Sequence, residues 1–306
     1  MALSNTDTLH NILSLLDDYN SDVVELIATS LYDEYGRDAY SIINEFRKEQ
    51  INNDNKNKLS RLLNHIVLKA IMENTYEWDK DEYMSLEDCF ASVCPLFVSH
   101  DLMSDYDSTV EEIKIGIRNF CKVVWLELNN SYNPTAAPVI IRDIINSQSN
   151  PEWNFLNNSA LFKDIKRDAT GCTYAIIMAI VGEILDLPII FSNSNPSVVV
   201  FSDSIDYFDL PDLNKSKVLH CNGDTAKIYK MKNFARIFHL QSLVDEEDLF
   251  EKLMYDFSSL IVQNYINEKY EGFVNTPYIS DNRMIIDKLL SRFDELHQLF
   301  QDYYFD

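Results

Sequence analysis

Cys172 is the residue whose type and place could most directly do chemistry. It opens a strongly apolar run, Tyr174–Val181, that predicts a buried helix from about Cys172 to Leu185. A thiol at a helix N-terminus is drawn towards thiolate by unpaired amides and the macrodipole, and a nearby imidazole can act as its base. His220 stands further along in a strand-like run, Val218–Cys221, followed by Asn222 and Asp224 as groups able to orient the ring. Cys, His and Asn/Asp in that order are the parts of a nucleophile, a base and an orienting group. The same residues also read as a small core cysteine facing a sheet and an ordinary strand histidine.

The other chemical signals are sparser. Gly171 and Gly182 are isolated, so no glycine-rich loop cradles a phosphate, and neither Gly-x-Ser-x-Gly nor His-Glu-x-x-His occurs. Cys89 and Cys94 lack a second close pair or a histidine at zinc spacing and are expected to be buried thiols; no metal and no cofactor is expected. His10, His65, His100, His239 and His297 are scattered and read as surface or satisfied interior residues. The run Asp245-Glu246-Glu247-Asp248 suits a helix N-terminus through the dipole.

The elements that must position these groups are read from hydrophobic periodicity. Leu9–Leu16, Val23–Leu31 and Ala39–Phe46 predict short helices, with breaks at Asp17–Asn20 and near Gly36. Asn52–Asn57 reads as a loop. Leu59, Leu62, Leu63, Ile66, Val67, Ala70 and Ile71 then recur as one face of an amphipathic helix, giving the N-terminal stretch a HEAT-like order. Ser85–Phe97 predicts a further helix, and Ser108–Asn129 a long one, with Ser108 and Glu111 at capping-box spacing. Pro134–Ile145 predicts another. After the buried helix come four strand-like runs, Pro188–Phe191, Val198–Phe201, Val218–Cys221 and Lys227–Lys230. Helical stripes return at Phe250–Ile261 and Met284–Phe300.

Composition and charge exclude whole classes of function. Across 306 residues, hydrophobic side chains make up 46% and charged ones 25%, which is ordinary for a folded globular protein and too apolar for a disordered one. Only 6 Gly and 8 Pro argue against an all-β protein with its frequent turns. The net charge of −23 repels phosphate backbones and anionic lipid, so neither nucleic acid nor membrane is an expected partner, and a basic or neutral protein is. The densest basic group, Lys227, Lys230 and Lys232, is too small to reverse that. Met1–Leu16 lacks the pattern of a signal peptide, no apolar run is long enough to span a membrane, and five dispersed cysteines suit a reducing compartment; cytoplasmic localisation is expected.

The middle of the chain resembles the SirB-type transglutaminase-like family, in the variety with a HEAT-like N-terminal module. The likeness rests on Asn150-Pro151-Glu152-Trp153-Asn154-Phe155-Leu156-Asn157, on Arg167, on Gly171–Ala175, on the helix closing with Gly182-Glu183-Ile184-Leu185-Asp186-Leu187-Pro188-Ile189, and on Val218-Leu219-His220-Cys221-Asn222. Val124-Trp125-Leu126-Glu127-Leu128-Asn129 is similar to the helix before that family's core. The resemblance implies a papain-like arrangement of Cys, His and Asp. Here its nucleophile position falls on Gly171, with Cys172 one residue late. Its base falls near Pro196-Ser197-Val198, which holds no histidine. Asn222 stands at the orienting position.

These readings combine into one expectation. The fold class is α+β and predominantly helical: a degenerate transglutaminase-like (papain-like) core with a small antiparallel sheet, flanked by N- and C-terminal helices. Residues 1–80 form the HEAT-like module, 81–240 the core, and 241–306 a C-terminal helical tail packed on the core. The expected function is a noncatalytic protein-binding or scaffold role with a protein partner. The alternative is a Cys-dependent hydrolase or acyl-transfer enzyme using Cys172 and His220, with Asn222 orienting the imidazole.

Overall fold

The computed structural model describes residues 6–17, 20–78, 85–128, 136–146, 171–187, 189–192, 197–200, 217–222, 225–230, 262–263, 265–267, 269, 273 and 279–305. The motif at 150–157, Arg167 and the acidic run 245–248 lie outside them. Three short helices come first: α1 (Thr6–Leu15), α2 (Ser21–Tyr35) and α3 (Asp38–Glu49). Asn20 caps α2 through its side chain, which accepts from the Asp22 amide at 3.0 Å. Gly36 ends α2 with φ 58°, a left-handed value that glycine adopts without a Cβ clash.

Helix α4 (Asn53–Trp78) follows and is the centre of the first unit. It begins inside the expected Asn52–Asn57 loop, because the Asn52 side chain accepts from the Asp54 amide at 2.9 Å and so caps the helix. Polar composition predicted a loop where the same residues supply a helix start. Leu59, Leu62, Leu63, Ile66, Val67, Ala70 and Ile71 are all buried, packed on by α1, α2 and α3.

Helix α5 (Leu86–Val93) runs into a short 3₁₀ turn, Cys94–Phe97, where Pro95 cannot donate to an α-helical ladder. Helix α6 (Tyr106–Glu127) starts two residues before the expected Ser108. Its cap is Asp105: Oδ1 accepts from the Ser108 amide at 2.7 Å and Oδ2 from the Ser108 hydroxyl at 2.8 Å. Ser108 is therefore the third residue of the helix and not its cap.

Helices α7 (Ala137–Asn146) and α8 (Gly171–Leu185) come next. Ile176–Gly182 of α8 are buried on all sides, as their uniform apolarity requires. Four strands follow: β1 (Ile189–Ser192), β2 (Ser197–Val200), β3 (Lys217–Asn222) and β4 (Thr225–Lys230). They form an antiparallel ladder in chain order, and α8 lies against β1, β2 and β3. Helix α9 (Ile279–Phe305) closes the chain.

The chain divides into two compact units. One comprises 1–84, 88–113 and 269–306; the other comprises 85–87 and 114–268. In the first, α9 packs along α4, burying Ile285, Ile286, Leu289, Phe293 and Leu296. The last helix thus belongs with the N-terminal helices, whereas the sequence division set 241–306 apart as a tail on the core. In the second unit, Arg118 grips Glu87 with two bonds of 2.8 and 3.2 Å, and Glu183 accepts from the Leu86 amide, capping α5.

The expected fold class is corrected by this architecture. The described residues are predominantly helical, and strand is confined to segments of four to six residues. The expected α+β class with a degenerate transglutaminase-like (papain-like) core is overturned. Among the residues whose burial is described, the largest buried side chains, Tyr40, Tyr106, Phe90 and Phe293 among them, are on helices, and it is helix packing that takes up their apolar surface.

Candidate functional site

The sequence-derived constellation can be followed along the backbone. Cys172 is the second residue of α8, in its first turn. His220 lies on β3 directly opposite Ser197 of β2 and Lys227 of β4, and Asn222 lies opposite Thr225. Helix α8 packs against β3, so the elements bearing Cys172 and His220 are neighbours. The side chains of Cys172, Ser197, His220 and Asn222 lie outside the described residues. Cys89, Cys94 and Cys121 are buried thiols, none of them in a disulfide. Burial, with the Glu87 charge second, pushes Cys121 up to about 12. Among the described residues, no three His, Cys, Asp or Glu side chains are grouped to hold a metal ion.

The richest polar chemistry with side chains in view lies inside the first unit, along one face of α4. Positions 61, 64, 65, 68, 72 and 75 recur at helical spacing and so share that face. Arg61 bonds and pairs with Asp281, at the start of α9, and the two side chains are 3% and 1% exposed. Asn64 donates to Asn282 Oδ1 at 3.5 Å, the limit of a hydrogen bond, and Asn282 donates to the Phe273 carbonyl at 3.0 Å. At the far end, Arg292 of α9 donates to the Thr75 hydroxyl at 3.0 Å and to the Thr75 carbonyl at 2.9 Å. Its guanidinium also stacks 4.5 Å above the Tyr76 ring. Lys288 of α9 pairs with Glu25 of α2, which holds that carboxyl below its usual range.

A second chain of bonds joins this face to α3. Tyr40 Oη lies 2.8 Å from His100 Nδ1, and His100 Nε2 lies 2.9 Å from Asn64 Oδ1. Asn64 uses its amide nitrogen on Asn282, so its oxygen must accept, and His100 must carry its proton on Nε2. Tyr40 then donates to Nδ1. One neutral tautomer satisfies every partner. Burial first, and then the Arg47 charge, holds His100 down to about 3, so the ring stays neutral over the physiological range. Asn44 fixes the same loop by donating to the carbonyls of His100 and Met103 at 3.0 and 2.9 Å.

His65 is different. It is 2% exposed, one turn beyond Arg61 on the α9-facing side of α4, and its Nε2 makes no hydrogen bond. Asp281 Oδ1 makes none either. Burial drives His65 down to about 4; Asp281 and Glu25 oppose that shift, while Lys288 and Arg61 assist it. Both neighbouring carboxylates are already bonded to cations, Asp281 to Arg61 and Glu25 to Lys288, so neither offers the imidazole an uncompensated negative charge.

By residue type and scatter along the chain, His65 and His100 alike are expected to be surface or satisfied interior histidines. His100 is satisfied; His65 is not. The available signal was the placing of Arg61 and His65 four residues apart within the apolar Leu59–Ile71 stripe, where two polar side chains must find partners on another element. Chemically, the cluster can hold α9 in one register and can respond to a proton. No family model, curated protein or solved structure matches the chain.

Proposed function

We propose that the protein is a noncatalytic protein-binding or scaffold module of the cytoplasm, whose partner presents a lysine- or arginine-rich amphipathic helix. The observation that carries this reading is the outward face of α2. Val24, Ala28 and Leu31 are buried, while Asp22, Leu26, Ser30, Asp33 and Glu34 are exposed along the opposite side, Leu26 at 67%. The helix contains no Lys or Arg. Asp33 and Glu34 stand in its last turn, where a carboxylate opposes the macrodipole, so helix stability does not account for them. A basic helix docking there would relieve that repulsion and cover Leu26. The net charge of −23 favours the same class of partner and disfavours nucleic acid or anionic lipid. Among the described residues, no helix is long and apolar enough to cross a membrane.

The test uses a fluorescent amphipathic helical peptide with a leucine face and a lysine face, and a counterpart with glutamate for lysine. Anisotropy titration of the full chain should show binding of the lysine peptide only. Replacing Asp22, Asp33 and Glu34 by Lys together should weaken it on the order of tenfold, about 1.4 kcal/mol. Reversing the exposed Glu45 and Glu49 of α3 should do less, and Leu26→Ser should weaken binding without changing net charge. Equal loss from the α2 and α3 reversals, or no loss from Leu26→Ser, would reduce the effect to bulk charge and overturn the reading.

A second reading, Cys-dependent acyl transfer by Cys172 and His220 with Asn222 as orienting group, is favoured by one observation, the packing of α8 on β3. It requires selective alkylation of Cys172 at neutral pH and loss of any esterase activity in Cys172→Ala. Uniformly slow alkylation of all five cysteines would end it.

A further inference from the structure

We propose that His65 makes the seat of α9 on α4 an acid-sensitive latch: protonation of its buried ring loosens α9 while the rest of the first unit stays folded. The geometry that supports this is the position of the ring. His65 is 2% exposed between Arg61, which binds Asp281, and Thr75, which binds Arg292, on the face of α4 covered by α9. Its Nε2 has no hydrogen-bond partner, so a proton added there brings a buried charge with no acceptor to receive it. The charged groups around it are Asp281 and Lys288 from α9, Glu25 from α2 and Arg61 from α4 itself. Each carboxylate in that ring is bonded to one of the cations. Detaching α9 opens the ring to water, and the imidazole regains its ordinary affinity for a proton.

The direction follows from linkage. With the imidazole held at about 4 in the closed state and near the ordinary histidine value of about 6.5 when exposed, the open state binds more protons between those values. The contribution of neutral His65 is fully present above pH 6.5 and is lost as pH falls towards 4. From pH 7 to pH 5 the open-to-closed ratio rises by about 20-fold. Glu25, held low by Lys288, loses its bond only below the usual glutamate range, so its contribution falls in a more acid window. His100 keeps its partners Tyr40 and Asn64, both outside α9, when the latch opens.

The experiment is amide hydrogen exchange of the full chain at pH 7 and pH 5, read by mass spectrometry and corrected for intrinsic exchange. Peptides from α9 are compared with peptides from α3. Exchange in α9 should accelerate about 20-fold more than the correction accounts for, with α3 changing far less. In His65→Gln, and in His65→Leu as a second non-titrating variant, the pH response of α9 should flatten whatever the absolute stability. A wild-type α9 indifferent to pH, α3 and α9 accelerating together by one factor, or a pH response kept in both variants would overturn the proposal.

Discussion

Removing the charge of Asp281 tests whether the first unit depends on the pairing of α4 with α9. The carboxylate is 1% exposed and the Arg61 guanidinium 3%, so the Asp281→Asn change deprives a buried cation of its bonded anion. Breaking one side of a buried ion pair costs about 3–5 kcal/mol, because the remaining charge stays desolvated. Replacing both residues by apolar ones of similar volume, Arg61→Met with Asp281→Leu, removes both desolvation penalties and should cost far less, or even stabilise. With Arg61→Met and Asp281→Leu as the single corners, each costing about 3–5 kcal/mol, and a double variant near zero, the double-mutant cycle should return a coupling of at least about 5 kcal/mol. Urea denaturation followed by far-UV circular dichroism measures all four corners, since the cluster sits among helices. A single Asp281→Asn loss below about 1 kcal/mol, or a double variant as unstable as the sum of the singles, would refute the assignment of a coupled buried pair.

Two further outcomes follow from local structure. Asp105→Ala removes the side chain that accepts from both the amide and the hydroxyl of Ser108, and should cost about 1 kcal/mol. Ser108→Ala, which leaves the amide bond to Asp105, should cost less, and thermal melts of the two variants distinguish them. Cys121, free, buried and pushed up to about 12, should resist iodoacetamide at pH 7.5 in the folded chain and react in urea. Mass spectrometry of the labelled peptides reads this directly, and fast native labelling at Cys121 would contradict its burial.

Much of the helical pattern was legible along the chain because helix formation is governed by neighbours three and four apart. The stripe Leu59–Ile71 appears as the buried face of α4, and Gly36 ends α2 where expected. Cap residues were harder to read. Asp105 and Ser108 are both good cap formers, and only the hydrogen bonds show that Asp105 acts as the cap with Ser108 as its partner. The polarity of Asn52 predicts a loop by composition, although the same polarity suits a helix start. The fold class failed for a different reason. Short β-rich runs in residues 188–230 suggest a mixed class, whereas the described residues are predominantly helical.

The candidate site shows where local reasoning ends. His65 and Arg61 are plainly polar residues inside an apolar stripe, and their spacing alone places them on one face of a helix. The hydrogen-bond partners of this face are more than two hundred residues away: Asp281 for Arg61, Asn282 for Asn64, and Arg292 for Thr75. No periodicity encodes a contact at that separation. It arises when α9 buries Ile285, Leu289 and Phe293 against α4 and carries its polar residues into register. Net charge, helix faces and the acidic outer side of α2 were determined by the sequence, because they depend on residue type and on spacing within a few residues. Which of the described buried groups meet a partner, and that His65 Nε2 does not, was decided by tertiary packing, because desolvation and pairing exist only once distant segments close over one another.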